Sequence, residues 1–138
     1  MIVDVTPGRE DLCFNLLNSW LPGYSIRLFN TACYRLCALS KDGRVIGALT
    51  TEKTSKWYKL TGIAVVPEYR RLGVGSSLID HLCERISLAI KEPTPLLILH
   101  KLDFQKEFFE KNYFEEINQT YNRLIEGTYS GRTSKDSA

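Results

Sequence analysis

The sequence predicts an α/β domain built on a mixed, mostly antiparallel sheet, and three observations carry that expectation. Asp42-Gly43 separates two β-type runs, 32–40 and 45–51, which marks an antiparallel hairpin. Residues 57–66 form an aromatic and β-branched run that leads into a helical pattern beginning at Gly75. The short apolar run 96–100 follows that helix, so a right-handed crossover sets it parallel to 57–66.

The remaining elements follow in order. Residues 2–5 read as a short strand. Thr6-Pro7-Gly8-Arg9-Glu10-Asp11 then has the makings of a helix start, with a hydroxyl cap, a first-turn Pro and acidic residues that suit the helix dipole. The helix is expected over 9–20, with Leu12, Leu16 and Leu17 toward the core and Pro22-Gly23 ending it. Residues 24–31 are ambiguous. From Gly75, the residues Leu78, Ile79, Leu82, Ile86 and Ala89 share one helical face, and Pro93 and Pro95 stop the helix. Phe104, Phe108 and the charges between them predict a helix over 103–111, and 114–119 and 121–126 read as the last strands. Residues 130–138 hold too little apolar surface to fold.

Composition narrows the function classes. A chain of 138 residues, 43% apolar and 25% charged, is one domain by length and ordinary in balance. Its 18 basic and 16 acidic residues leave a formal charge of +2, so no global basic field draws it to nucleic acid or a membrane surface. Apolar runs fall far short of the roughly 20 residues that span a bilayer. The N-terminus lacks the pattern of a secretory leader, which points to the cytoplasm and to free thiols at Cys13, Cys33, Cys37 and Cys83. Cys33 and Cys37 are close enough for a metal pair but have no second pair; they read as small apolar fillers sharing a strand face, and no metal is expected.

The chemistry is concentrated in Arg70-Arg71-Leu72-Gly73-Val74-Gly75, between a strand and a helix, where main-chain N–H groups are free to converge on an anion. Gly73 and Gly75 let the backbone approach phosphate oxygens, and Ser76 and Ser77 add hydroxyl donors. A P-loop needs Lys where Ser76 stands, and a dinucleotide loop needs a third Gly where Leu78 stands. A tight strand-to-helix turn, its glycines serving only packing, is the alternative.

The pattern Arg-x-x-Gly-x-Gly, after a strand and opening a helix, resembles the coenzyme A loop of the Gcn5-related N-acetyltransferase (GNAT) superfamily. Ile63-Ala64-Val65-Val66-Pro67-Glu68-Tyr69-Arg70 is similar to the run that precedes that loop. Phe108-Phe109-Glu110-Lys111-Asn112-Tyr113-Phe114 is similar to the superfamily's second signature, usually aromatic-Tyr-Glu-Lys-x-Gly-Phe. The resemblance implies a single GNAT-type domain over 1–127 with a flexible tail, 128–138, and a sheet that splays between strands 57–66 and 96–100. It implies acetyl-CoA as co-substrate. Main-chain groups of Ile63, Ala64 and Val65 would meet the pantetheine arm and acetyl carbonyl. Arg70, Arg71, Leu72, Gly73, Val74, Gly75 and Ser76 would hold the pyrophosphate end.

The implied reaction moves an acetyl group from the thioester to a primary amine by direct attack in a ternary complex. Such an amine, with a pKa near 10.4 when of the lysine type, is mostly protonated at neutral pH, so a base is required. His100 is the candidate base, because it ends the strand that flanks the splay and imidazole titrates near neutrality; the alternative is a His that only caps the sheet edge. His81, on the face shared with Ser77 and Arg85, is expected to be uninvolved. The chain departs from the pattern at Phe109, where the superfamily's Tyr acts as general acid, and at Tyr113, where Gly is usual. The Asn that many members carry early in this helix is also missing, since 102–106 reads Leu-Asp-Phe-Gln-Lys. Those departures leave a non-catalytic coenzyme A-binding module as an alternative. The wording Tyr69-Arg70-Arg71-Leu72-Gly73-Val74-Gly75 is close to that of protein N-terminal acetyltransferases, which favours a peptide or protein amine over a small-molecule amine. A monomer and a homodimer are both compatible.

Overall fold

The Asp42-Gly43 turn closes the expected hairpin, with Gly43 at φ 83°. It joins β2 (Tyr34–Leu39) to β3 (Val45–Lys53) in antiparallel register, Tyr34 opposite Thr51 and Cys37 opposite Ala48. The structure, a computed structural model, describes residues 1–54, 57–89, 94–98 and 106–125. His100, Pro93, residues 103–105 of the helix expected over 103–111, and the expected tail 128–138 lie outside the described residues.

A seven-stranded sheet runs β1-β2-β3-β4-β5-β7-β6, where β1 is Ile2–Asp4, β4 Tyr58–Val65, β5 Thr94–Ile98, β6 Glu115–Ile117 and β7 Thr120–Ile125. Each pairing is antiparallel except β4 with β5. That parallel pair follows from the crossover through α3 (Val74–Ala89). The sheet is therefore mixed and mostly antiparallel, as the hairpin and crossover patterns predict.

Helices cover both faces. On one, α1 (Glu10–Trp20) sets Cys13, Leu16 and Leu17 over Cys37, Ala48 and Ala64, joined by Phe29 of α2 (Ile26–Asn30). The ambiguous stretch 24–31 thus resolves into a short helix, capped where the Ser25 hydroxyl accepts from the Leu28 N–H at 3.4 Å. On the other face, Leu78, Ile79, Leu82 and Ile86 of α3 pack over Leu36, Leu49 and Leu60, with Phe109 of α4 (Lys106–Lys111) beside them. Each such aliphatic side chain contributes about 1.5–3 kcal/mol when fully buried.

Several side chains differ from expectation: Thr6 makes no side-chain cap hydrogen bond, and Ala89, at the end of α3, is exposed. Leu12 is 58% exposed, because the stripe of α1 that meets the sheet runs through Cys13, Leu16 and Leu17. Leu12 instead borders a shallow groove with Trp20, Val45 and Val66. Cys33 precedes β2 and is exposed, so it shares no strand face with the buried Cys37 and is no core filler.

Candidate functional site

Among the described residues β4 is paired along its length on one side and only in part on the other. Against β3 it pairs along its length, from Tyr58 opposite Lys53 to Val65 opposite Gly47. Against β5 the ladder holds only Tyr58–Leu96, Lys59–Leu97 and Leu60–Ile98. Beyond Leu60, residues 61–65 have no ladder partner on that edge among the described residues. The change coincides with a bulge: Leu60 opposes Thr51 and Gly62 opposes Thr50, leaving Thr61 as the extra residue. Bulges bend a strand and sharpen its twist at such a point.

Ladder alternation decides which main-chain groups face the gap. The Val66 N–H donates to the Ile46 carbonyl at 2.9 Å, so in antiparallel alternation Ala64 also bonds toward β3, opposite Ala48. The main-chain groups of Ile63 and Val65 point the other way, to the open edge. Val65 confirms this direction, since its carbonyl accepts from Arg70 Nε at 2.8 Å. Its N–H remains directed at the gap.

The strand then turns through a 3₁₀ segment, Pro67–Tyr69, into a loop where Arg71 (φ 65°) and Gly73 (φ 85°) both adopt left-handed backbone. The Ser77 N–H bonds back to the Gly73 carbonyl at 2.9 Å, closing the first turn of α3. The N–H groups of residues 73–76 precede that bond and have no backbone acceptor among the described residues, and such free donors at the start of a helix favour an anion. The two glycines serve different ends. A Cβ on Gly73 would meet nothing within 4 Å, so its requirement is conformational. A Cβ on Gly75 would lie 2.9 Å from Phe108 Cε1, so its requirement is space.

Arg70 is held on two sides. Besides its bond to Val65, its guanidinium lies 4.4 Å from the centroid of the Trp20 ring at the end of α1. Beside it, Glu68 is engaged by Arg44 at 3.2 Å.

The second signature forms the end of α4. Phe109 is 2% exposed and packs on Phe108, Phe114 and Tyr121, the last at 4.8 Å between centroids. The helix closes through two bonds, Phe114 N–H to the Phe109 carbonyl at 2.9 Å and Tyr113 N–H to the Glu110 carbonyl at 3.1 Å. This is the Schellman arrangement, which wants a left-handed residue at the position of Tyr113, here at φ 70°. The usual Gly there is explained by that angle. Tyr113 is 70% exposed and lies under Arg123, 5.3 Å from its ring centroid, so its phenol is turned out to solvent. Asn112, 4% exposed, donates from its amide to Ser76 Oγ at 3.2 Å and to the Phe108 carbonyl at 2.9 Å.

On the α1 face a buried hydroxyl chain ends at the bulge. Tyr24 and Thr50 hydroxyls lie 2.7 Å apart, and Thr50 and Thr61 hydroxyls 2.9 Å apart. Burial pushes the Tyr24 phenol above its ordinary pKa, so it stays protonated at neutral pH.

Of the residues picked out in the sequence, Ile63 and Val65 face the gap, Ala64 faces β3, and 70–76 wrap the start of α3. His100 lies outside the described residues. Four contributors were missed: Trp20 behind Arg70, the Thr61 bulge, Phe108 against Gly75, and Asn112 on Ser76. Phe108 and Asn112 belong to the second signature, so their proximity to the loop was within reach. An aromatic at a helix end carries no such signal.

No helix among the described residues is long and apolar enough to cross a membrane. No curated protein sequence matches the chain. A family model described as acetyltransferase (GNAT) family matches residues 6–88, more than half of the 138. Solved structures share the fold. The ribosomal-protein-S18-alanine N-acetyltransferase from Escherichia coli aligns with a TM-score of 0.73 at 15% identity, over 91% of this chain and 94% of that one. Ard1 from Thermoplasma volcanium aligns with a TM-score of 0.72 at 19% identity, over 91% and 97%. An aminoglycoside 6'-N-acetyltransferase complexed with coenzyme A aligns with a TM-score of 0.70 at 13% identity, also over 91% and 97%. With the open edge of β4, the loop at the start of α3 and the family match together, the chain belongs to the GNAT family of N-acetyltransferases.

Proposed function

We propose that the chain transfers an acetyl group from acetyl-CoA to a primary amine of a peptide or protein, in the cytoplasm. The observation that carries the coenzyme half is the coincidence of two sets of main-chain groups without a ladder or helix partner among the described residues, at Ile63 and the Val65 N–H on the edge of β4 and at 73–76 on the first turn of α3. They suit the two polar parts of one ligand, an amide-bearing pantetheine arm and a pyrophosphate. The co-substrate supplies the acetyl group as an activated thioester. In this reading the arm pairs with Ile63 and Val65, while the pyrophosphate lies on the amides of the 70–76 stretch.

The Val65 N–H is the donor for the oxygen that gains charge as the amine adds to the thioester carbonyl. Its own carbonyl is occupied by Arg70, which leaves the N–H as the group Val65 offers the gap. His100, which follows Ile98 closely in sequence, is the proposed base that removes the amine proton. With Phe109 in place of a phenol, the thiolate departs without a proton from that position. The four free cysteines suit the reducing compartment.

A peptide or protein acceptor is favoured by the loop wording and by the fold likeness to an N-acetyltransferase of a ribosomal protein alanine. The likeness to an aminoglycoside acetyltransferase supports a small-molecule amine as the second reading. Mass spectrometry after incubation with acetyl-CoA and a peptide library tests the choice. A mass gain of one acetyl group on peptide amines is expected, whereas acetylation of aminoglycosides alone would favour the second reading. On an accepted peptide, His100→Ala should lower turnover and abolish the acid limb of the pH–rate profile; an unchanged profile would remove His100 from the reaction.

A further inference from the structure

Asn112 sits in the second signature at a position with no role in the sequence pattern, yet it is buried and reaches the coenzyme loop. We propose that Asn112 is a positioning residue that directs the Ser76 hydroxyl proton toward the coenzyme pyrophosphate. The inference rests on the coenzyme reading above and adds a side-chain donor to it.

The Phe108 carbonyl can only accept, so the Asn112 atom that lies 2.9 Å from it must be the amide nitrogen. That fixes the amide's orientation, and the same nitrogen therefore also donates to Ser76 Oγ at 3.2 Å. A serine hydroxyl carries one proton and two lone pairs. With a lone pair taken by Asn112, the Ser76 proton is left for another acceptor.

Ser76 is half-buried in the first turn of α3, beside the N–H groups of 73–76. Its proton thus joins those amides as a further donor for an anion, and hydrogen bonds to charged oxygens are the stronger kind. An aspartate at 112 would do the opposite, accepting the Ser76 proton and setting a negative charge near the phosphates. Asn112 is itself anchored, because its main-chain carbonyl accepts from Arg123 Nη1 at 3.0 Å, and Arg123 is 8% exposed. The chain Arg123–Asn112–Ser76 thus ties β7 through the end of α4 to the loop.

The experiment is a double-mutant cycle on coenzyme A affinity, with Ser76→Ala, Asn112→Leu and the pair, and with S-acetylpantetheine as a ligand lacking the pyrophosphate. Each single change should raise the Kd for coenzyme A by about tenfold, the worth of a hydrogen bond to a charged group. The double variant should lose no more than the larger single change, and S-acetylpantetheine should bind all forms alike. Additive losses, or an equal loss toward S-acetylpantetheine, would assign Asn112 a merely structural role and overturn the proposal. Ser76→Ala keeps the test decisive if Asn112→Leu fails to fold, since unchanged coenzyme affinity in that variant also overturns it. A wild-type protein that binds neither ligand would overturn the coenzyme reading itself, and this inference with it.

Discussion

Two turns border the site and both leave the right-handed region of the backbone map, but they use different residues to do so. In the loop before α3 the left-handed positions are Arg71 and Gly73; at the end of α4 the position is Tyr113. At Gly73 an added Cβ would meet nothing within 4 Å, so the bare backbone there borders open space. At Tyr113 a large side chain is present, exposed and stacked under Arg123. Left-handed backbone alone therefore does not demand glycine, as Arg71 and Tyr113 both adopt it. In the coenzyme reading proposed above, glycine at 73 also leaves the main chain bare to the ligand, whereas a helix cap facing solvent tolerates a tyrosine at a cost of order 1 kcal/mol.

The largest effect should come from breaking the loop half of that comparison. Gly73→Glu adds a side chain and a negative charge where the pyrophosphate is proposed to lie, and should weaken coenzyme A binding by about a hundredfold or more, a loss of ~3 kcal/mol, while circular dichroism stays native. Unchanged affinity in calorimetry would show that the exposed backbone at 73 is not a ligand surface.

A smaller effect separates the two glycines. Gly75→Ala places a Cβ 2.9 Å from the Phe108 ring and should cost about 1–3 kcal/mol in urea denaturation, most of it restored by Phe108→Leu in the same chain. Gly73→Ala should cost about 1 kcal/mol through its angle alone, with no relief from Phe108→Leu. If the second change rescued both or neither, the division between space and conformation would be wrong. The smallest effect is of opposite sign. Tyr113→Gly should stabilise by about 0.5 kcal/mol, the relief of left-handed strain less the lost Arg123 stacking, read as a small rise in Tm.

Much of the fold was legible because its signals are local. The Asp42-Gly43 turn, the run into Gly75 and the helical spacing of Leu78, Ile79, Leu82 and Ile86 each specify an element from neighbouring residues. Leu12 was misplaced because its spacing with Leu16 fits a helical stripe, whereas the sheet meets the neighbouring stripe through Cys13. The loop was legible for the same local reason, being a contiguous motif. The open edge at Ile63 and Val65 was not separable from Ala64 in the sequence, since ladder phase is set by pairing with β3. Trp20 against Arg70 joins residues far apart in the chain, and nothing in a single sequence records that contact, whereas Asn112 against Ser76 was within reach only through the second signature's place beside the loop.

One ligand is proposed to join Ile63 and Val65 of β4 to the start of α3. The structure of the protein bound to coenzyme A tests it most directly. Main-chain hydrogen bonds from the pantetheine arm to Ile63 and Val65 but not Ala64 are expected, with pyrophosphate oxygens on the amides of 73–76. Coenzyme bound elsewhere, for example in the groove lined by Leu12, Trp20 and Val66, would contradict it.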